Sequence, residues 1–205
     1  MSDKTPHEPN QFKLLRERRF APFFWTQFLG AGNDNVYKNA LVIFVAFHAA
    51  NLTSLDPNTL VNLAGAVFIA PFVLFSATSG QLADKLEKSR LIRWIKVFEI
   101  AIMLVGLYGF WRRDIAILFT ALGLLGVHST LFGPVKYAIL PQQLKPEELI
   151  GGNGLVEMGT FVAILMGTIV GGPVVAIEGS GPVAAGCVAI GVAVAGYLAS
   201  RAIPV

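Results

Sequence analysis

The sequence predicts an all-α membrane protein with six transmembrane helices. Three observations carry that expectation. The chain of 205 residues is 54% hydrophobic and only 14% charged, where a soluble domain has about 25% charged residues. Its mean hydropathy is +0.62. Its apolar residues gather into six stretches, each near the roughly 20 residues that cross a hydrocarbon core. Little length is left for a soluble domain. The pI of about 9.1 is not a nucleic-acid footprint, because most basic residues sit between apolar spans, where they act as topology signals.

Residues 1–19 form a polar segment with no short apolar region or small-residue cleavage site, so no secretory signal is expected. The bundle occupies residues 20–205. Pro22 fits a first helical turn, where a missing N–H costs nothing. Span one runs from about Phe23 to His48. Asn51 to Asn58 is a polar loop, with Asp56-Pro57 reading as an N-cap and first-turn proline. Span two, about Leu60 to Ala83, contains Pro71 and a predicted kink. Asp84 to Arg93 is a compact charged loop. Span three runs from about Leu91 to Phe110, with Trp94, Tyr108 and Trp111 as an aromatic belt. Arg112-Arg113-Asp114 is a tight turn. Span four, about Ile115 to Ile139, is predicted to be interrupted at Gly133-Pro134. Pro146-Glu147-Glu148 reads as a helix start with acids at the positive end of its dipole. Span five, about Ile150 to Ile177, is glycine-rich, and span six fills about Val183 to Ala202.

Six spans place both termini on one side. The N-terminal segment, the 84–96 segment with Lys96, the 141–149 loop and the C-terminal end hold twelve lysines and arginines. The opposite loops hold only Arg112 and Arg113. Both termini are therefore predicted to be cytoplasmic. A faint repeat joins Phe28-Leu29-Gly30 and Val36-Tyr37-Lys38 in span one to Leu124-Leu125-Gly126 and Val135-Lys136-Tyr137 in span four. The two spans run oppositely, so spans 1–3 and 4–6 form a candidate 3+3 inverted repeat, an architecture that puts substrate sites near the midplane.

Span one carries the most demanding residues. Asp34 lies roughly 17 Å beyond Phe23 at 1.5 Å per residue, near the midplane, where a charge costs about 2.5–3.5 kcal/mol. Lys38 is one turn on, on the same face. Asn33, Asn35 and Asn39 add amides. The group reads either as an internal ion pair or as a polar cavity for a charged headgroup or a proton. Lys136 near the end of span four either snorkels to the interface or lies by a headgroup path. Glu157 either is solvated or pairs with Lys136 or the 84–93 loop. His128, beside Ser129 and Thr130, is either a proton site or hydrogen-bonded packing. Gly167 and Gly171-Gly172-Pro173 read as packing and bending. Trp25 and His48 read as boundary residues, and Cys187 as packing.

Gly80, Asp84, Lys85, Lys88 and Arg90 form the most specific spacing. This stretch resembles the loop between helices two and three of the major facilitator superfamily, in which it latches one half of the transporter against the other. Glu87 departs from the pattern, which has a glycine at or beside that position. Gly30 to Leu41, Phe75 to Lys85, Phe132 to Pro141 and Gly151 to Glu157 together resemble the bacterial lysophospholipid transporters, in particular those fused to an acyltransferase and an acyl-acyl-carrier-protein synthetase. The resemblance covers nearly the whole chain and corresponds to the N-terminal six of that family's twelve helices. It implies half of a facilitator fold in the bacterial inner membrane. It also implies a flippase that brings lysophosphatidylethanolamine-type lipids to the cytoplasmic leaflet for reacylation. Asp34, Asn33, Asn35, Lys38 and Asn39 would then face the headgroup, and the 80–90 loop would gate. The implied partners are a second six-helix half or a homodimer, and an acyltransferase or synthetase. The alternatives are a proton-coupled exporter of an amphipathic small molecule and a half that transports nothing alone.

No enzyme is expected. None of the three histidines has an aspartate five residues later, as the acyltransferase motif requires, and no metal-ligand cluster or phosphate-binding glycine loop is present. No cofactor is expected.

Overall fold

A computed structural model describes residues 11–48 and 52–204; Lys4, His7 and Asn51 lie outside them. The described chain is helical throughout, without strands. A short 3₁₀ helix, Gln11–Arg16, leads into six long helices: α1 (Ala21–His48), α2 (Pro57–Lys85), α3 (Lys88–Arg112), α4 (Ile115–Ala138), α6 (Leu149–Val175) and α7 (Gly181–Arg201). Between α4 and α6 lie a one-turn helix α5 (Leu140–Gln143) and a 3₁₀ turn, Pro146–Glu148. The six long helices coincide with the six expected spans to within a turn at each end.

Local chemistry fixes the boundaries. Asp56 caps α2 by accepting from the Thr59 N–H at 3.1 Å, with Pro57 in the first turn. Asp114 caps α4 through the Ile117 N–H at 3.1 Å, and Arg113 turns the chain in the left-handed region at φ 53°. Glu87 caps α3, taking the N–H groups of Ser89 and Arg90 at 2.8 and 2.6 Å. Such a cap stabilises a helix by about 0.5–2 kcal/mol. Partial burial works to raise the Glu87 carboxyl, but these N–H bonds win and hold it below its ordinary value. The expected interruption at Gly133-Pro134 is absent: α4 runs continuously to Ala138. A proline removes only one ladder hydrogen bond, and an otherwise apolar, packed helix tolerates that loss.

Among the described residues four helices are long and apolar enough to cross a membrane: α2, α4, α6 with its preceding turn, and α7. The chain is thus a multi-pass membrane protein. Helices α1 and α3 are just as long, at 28 and 25 residues, but carry charges in their interiors. Each buries one face in the bundle. Helix α1 packs along α6 and α7, and α3 packs along α4 and α7, while α2 packs on α4. On those faces Lys96 and Glu99 are fully buried and Asp34 is partly so. Large apolar side chains on α2 and α6, among them Val73, Leu74, Phe161 and Leu165, are exposed.

Helix α6 meets α1 with a stripe of small residues, Gly159, Ala163, Gly167 and Gly171, one per turn. A Cβ on Gly171 would stand 2.5 Å from the Val36 carbonyl oxygen, and one on Gly167 only 2.9 Å from Asn35 Cβ. Small residues let the two backbones touch, the packing that lipid favours because it provides no hydrophobic drive between helices. Cys187, expected to pack, is exposed instead.

The interior is layered. One apolar core, with Leu41, Phe44, Met103, Phe110, Leu118 and Leu122, fills one end. A second, with Phe20, Phe23, Ile92, Ile95, Val135 and Leu155, fills the other. Between them runs a layer of buried polar side chains.

Candidate functional site

The polar layer is built from α1, α3 and α4. Lys96 and Glu99, three residues apart on α3, form an ion pair with side chains 1% and 0% exposed. Asn33 of α1 donates to Glu99 Oε1 at 2.8 Å. His128 of α4 stands between two carboxylates, its Nε2 3.4 Å from Glu99 Oε2 and its Nδ1 3.9 Å from Asp34 Oδ1. Ser129 donates to Asp34 Oδ2 at 2.6 Å. Among the described residues, Asp34 Oδ1 and both ring nitrogens of His128 have no hydrogen-bond partner. Two glycines make room for the buried ammonium: a Cβ on Gly30 would stand 2.8 Å from Lys96 Nζ, and one on Gly196 would stand 2.9 Å from Lys96 Cε. The Phe132 ring lies 5.9 Å from the same nitrogen.

Beside this cluster opens a cavity of about 230 Å³, walled by Gln27, Gly30, Ala31, Asp34, Phe72, Lys96, His128, Ser129, Phe132, Gly133, Lys136 and Thr160. Asp34 and His128 bring it acid and imidazole. Lys136 brings a cation, positioned by Glu157 at 3.1 Å and by the Thr160 hydroxyl at 3.1 Å. Gln27 is buried and bonded across to α6, accepting from Thr160 Oγ1 at 3.0 Å. Phe72 and Phe132 supply apolar wall. One chamber thus offers a carboxylate and an ammonium on partly apolar walls.

The expected residues of span one do not converge. At 100° per residue, consecutive side chains leave a helix in different directions. Of the five, Asp34 alone lines the cavity. Asn33 is fully buried against α3. Asn35 donates back to the Ala31 carbonyl, and Asn39 donates to the Asn35 carbonyl and to Thr168 of α6 at 3.1 Å. The Asp34–Lys38 ion pair is replaced. Asp34 takes Ser129, and Lys38 sits over the Phe68 ring at 5.2 Å. The i, i+4 spacing allowed that pair, but a hydroxyl presented by α4 lies closer to the carboxylate. Of the secondary candidates, Lys136 and Glu157 pair with each other, and His128 joins the buried cluster.

Sequence reading missed Lys96, Glu99 and Gln27. The charge count places Lys96 with the cytoplasmic residues, yet it is buried two turns inside α3. A signal existed: Lys96 and Glu99 stand three apart in an apolar run, the spacing of a self-neutralising pair.

The 80–90 segment is not a free loop. Gly80, Asp84 and Lys85 complete α2, Lys88 and Arg90 begin α3, and only Leu86-Glu87 connects them. Space around Gly80 is open to 4 Å, so it mediates no close helix approach here. Asp84 is exposed, and Glu87 caps α3.

At the same end, Arg19 clamps the start of α1 to the α5–α6 connection. Its Nη1 and Nη2 donate to Glu148 Oε2 and Oε1, both at 2.7 Å, and Nη1 also donates to the Gln143 carbonyl at 3.1 Å. The forked bond from Arg19, with the Lys145 N–H second, holds the Glu148 carboxyl down to about 2; the same bond raises the Arg19 guanidinium.

Among the described residues no group of three or more His, Cys, Asp or Glu side chains is arranged to hold a metal. No protein-family model matches the chain, and no solved structure matches it. The sequence is similar to curated proteins named lysophospholipid transporter LplT. One from Serratia proteamaculans is 29% identical over 168 residues, 82% of this chain and 39% of the relative. One from Yersinia enterocolitica is 29% identical over 160 residues, 78% of this chain and 37% of the relative. One from Yersinia pestis is 28% identical over 160 residues, again 78% of this chain, and 36% of the relative. The chain therefore spans less than two fifths of the length of the relatives it matches. All three are named transporters, in keeping with the expectation of a non-enzyme.

Proposed function

We propose that the chain is the six-helix N-terminal half of a facilitator-type lysophospholipid transporter. In this reading it carries lysophosphatidylethanolamine-type lipids to the cytoplasmic leaflet of a bacterial inner membrane. The observation that carries the reading is the cavity with Asp34 and Lys136 on its wall. An ethanolamine headgroup is a zwitterion. Its ammonium needs a carboxylate, and its phosphate needs a cation. Asp34, oriented by Ser129, accepts from the ammonium. Lys136, freed from Glu157, donates to the phosphate. At about 230 Å³ the cavity is smaller than the roughly 300–1,000 Å³ that encloses a drug-sized ligand. It suits a headgroup whose acyl chain lies along apolar helix faces. The relatives' printed name supplies the substrate class.

Helix pairing supports a 3+3 inverted repeat. Exchanging α1 with α4, α2 with α6, and α3 with α7 converts the α1–α6 contact into α4–α2 and the α1–α7 contact into α4–α3. Both members of each pair occur among the main helix contacts. Alternating access rocks one bundle against another, so a second six-helix bundle, in the same polypeptide or another copy, completes the cavity wall. The 80–90 segment, with both termini, then faces the cytoplasm and meets that bundle. Reacylation of the delivered lipid belongs to an acyltransferase or acyl-acyl-carrier-protein synthetase.

The reading is tested with the chain and its second bundle reconstituted in vesicles containing labelled lysophosphatidylethanolamine. Transfer between leaflets is expected, and Asp34→Ala is expected to abolish it while leaving the protein folded. Equal transfer by D34A would sink the site assignment. One observation favours a second reading: His128 stands between two carboxylates, a place suited to carrying a proton. Proton-driven efflux of an amphipathic dye, with no movement of lysolipid, would replace the first reading by that exporter.

A further inference from the structure

Three arginines from two helices converge at the end of the bundle where α3 begins and α7 ends. Arg90 and Arg93 of α3 and Arg201 of α7 line one cleft with Trp94, Val97 and Tyr197; its volume is about 340 Å³. No carboxylate lines it, and among the described residues none of the three guanidiniums is within ion-pair distance of one, the nearby Glu87 carboxylate being taken up in the α3 cap while attracting Arg90 at longer range. Arg93 is held in place: its Nε and Nη2 donate to the Ser200 and Ile203 carbonyls at 3.4 and 2.9 Å. Arg90 and Arg201 are exposed beside it. Two of these charges stand near the N-terminus of α3, the end of a helix dipole that disfavours cations. A topology signal needs positive charge in a loop. It does not need three guanidiniums around one cleft that no carboxylate lines, with a tryptophan and a tyrosine on its wall.

We propose that this cleft binds the phosphodiester headgroup of an anionic membrane phospholipid. Guanidiniums match phosphate oxygens in charge and in forked geometry. Basic pockets between transmembrane helices on the cytoplasmic side hold such headgroups. Trp94 and Tyr197 are aromatics of the kind that settle at headgroup depth. Val97, exposed one turn further into α3, continues the wall as apolar surface for an acyl chain. Apart from the helix α3 itself, this cleft shares nothing with the Asp34 cavity. The site therefore stands whether or not the chain moves lysolipids, and its occupant is anionic rather than zwitterionic.

The test is native mass spectrometry of the full chain released from nanodiscs of mixed phosphatidylglycerol and phosphatidylethanolamine. One anionic lipid should remain bound in preference to the zwitterionic one. Basic residues at a membrane surface contribute about fivefold each. Arg90→Gln with Arg201→Gln should therefore weaken retention about 30-fold. That pair leaves Arg93 and its structural bonds in place, and helical content by circular dichroism should not change. Arg112→Gln with Arg113→Gln, at the opposite end, should retain lipid as the parent does. Equal retention by the R90Q/R201Q protein, or equal loss in the opposite-end control, would overturn the proposal. So would displacement of the lipid by millimolar inorganic phosphate or glycerophosphate, which would make this a small-anion site.

Discussion

Replacing Lys96 by methionine is the sharpest perturbation of the polar layer. It removes an ammonium whose side chain is 1% exposed and leaves Glu99, 0% exposed, without its ion partner. Methionine keeps the unbranched stem between Gly30 and Gly196, so little packing is lost. Solvent does not screen a pair this deep. Removing one member of a buried pair costs about 3–5 kcal/mol, mostly from the stranded charge. Asn33 Nδ2 at 2.8 Å and His128 Nε2 at 3.4 Å stay with Glu99. They place the loss at the lower end, about 3 kcal/mol. Adding Glu99→Gln removes the stranded charge and keeps an acceptor for Asn33, so the double variant should recover about 2 kcal/mol. The assay is denaturant unfolding in detergent micelles, followed by the fluorescence of Trp25, Trp94 and Trp111. A K96M loss below about 1 kcal/mol, the scale of an ordinary substitution, would refute the reasoning. A double variant as unstable as K96M would refute it too, because the cost would then come from packing and not from charge.

Three other predictions concern two glycines and one acid. Gly171→Ala places a methyl 2.5 Å from the Val36 carbonyl oxygen and should cost about 1–3 kcal/mol as the α1–α6 contact opens. Gly80→Ala meets nothing within 4 Å and should stabilise α2 by about 0.5–1 kcal/mol; the same unfolding assay reads both. If the G80A protein is stable but its transport is lost, the reading of this segment as a gate gains support. Glu148 lies at about 2 in the folded chain against an ordinary 4.5. A depressed carboxyl stabilises fully above the unfolded value, so its contribution is complete above about pH 4.5 and fades as pH falls toward 2. Hydrogen exchange in residues 17–21 and 143–149 should accelerate across that window. Glu148→Gln should show the faster exchange already at pH 7, with no further step on acidification.

The order of elements was readable because its causes are local. Hydropathy runs of membrane length locate the helices, and Asp56-Pro57 and Arg113-Asp114 punctuate them through bonds to residues three positions away. Asp34 stood out for a similar reason: a carboxylate in the middle of an apolar run is costly wherever the chain folds. The pairing of Lys136 with Glu157 was among the alternatives the sequence allowed, since both sit near the same end of their helices.

The partners of Asp34 were not readable. Sequence proximity suggested Lys38, one turn away, yet Ser129, 95 residues on, makes the bond. Which groups meet depends on how α1 and α4 rotate about their axes, and that rotation is set by close contacts such as Gly171 against Val36 and Gly126 against Pro71. The same rotations send Asn33 to Glu99 and Asn39 to Thr168, dispersing a run that looks like one site on paper. Lys96 is the clearest case. In the sequence it continues a basic segment, and a lysine near a span's end ordinarily reaches for water. In the folded chain Gly30 and Gly196 open a slot for it, Glu99 pairs with it, and Asn33 of α1 and His128 of α4 hold Glu99 from two further helices. The sequence by itself determined where the long helices lie, to within a turn at each end, and which of them carry interior charge, because hydropathy and capping act within a few residues. Only the tertiary structure decided which charges face one another across the cavity, because that depends on helix rotation fixed by contacts far apart in the chain.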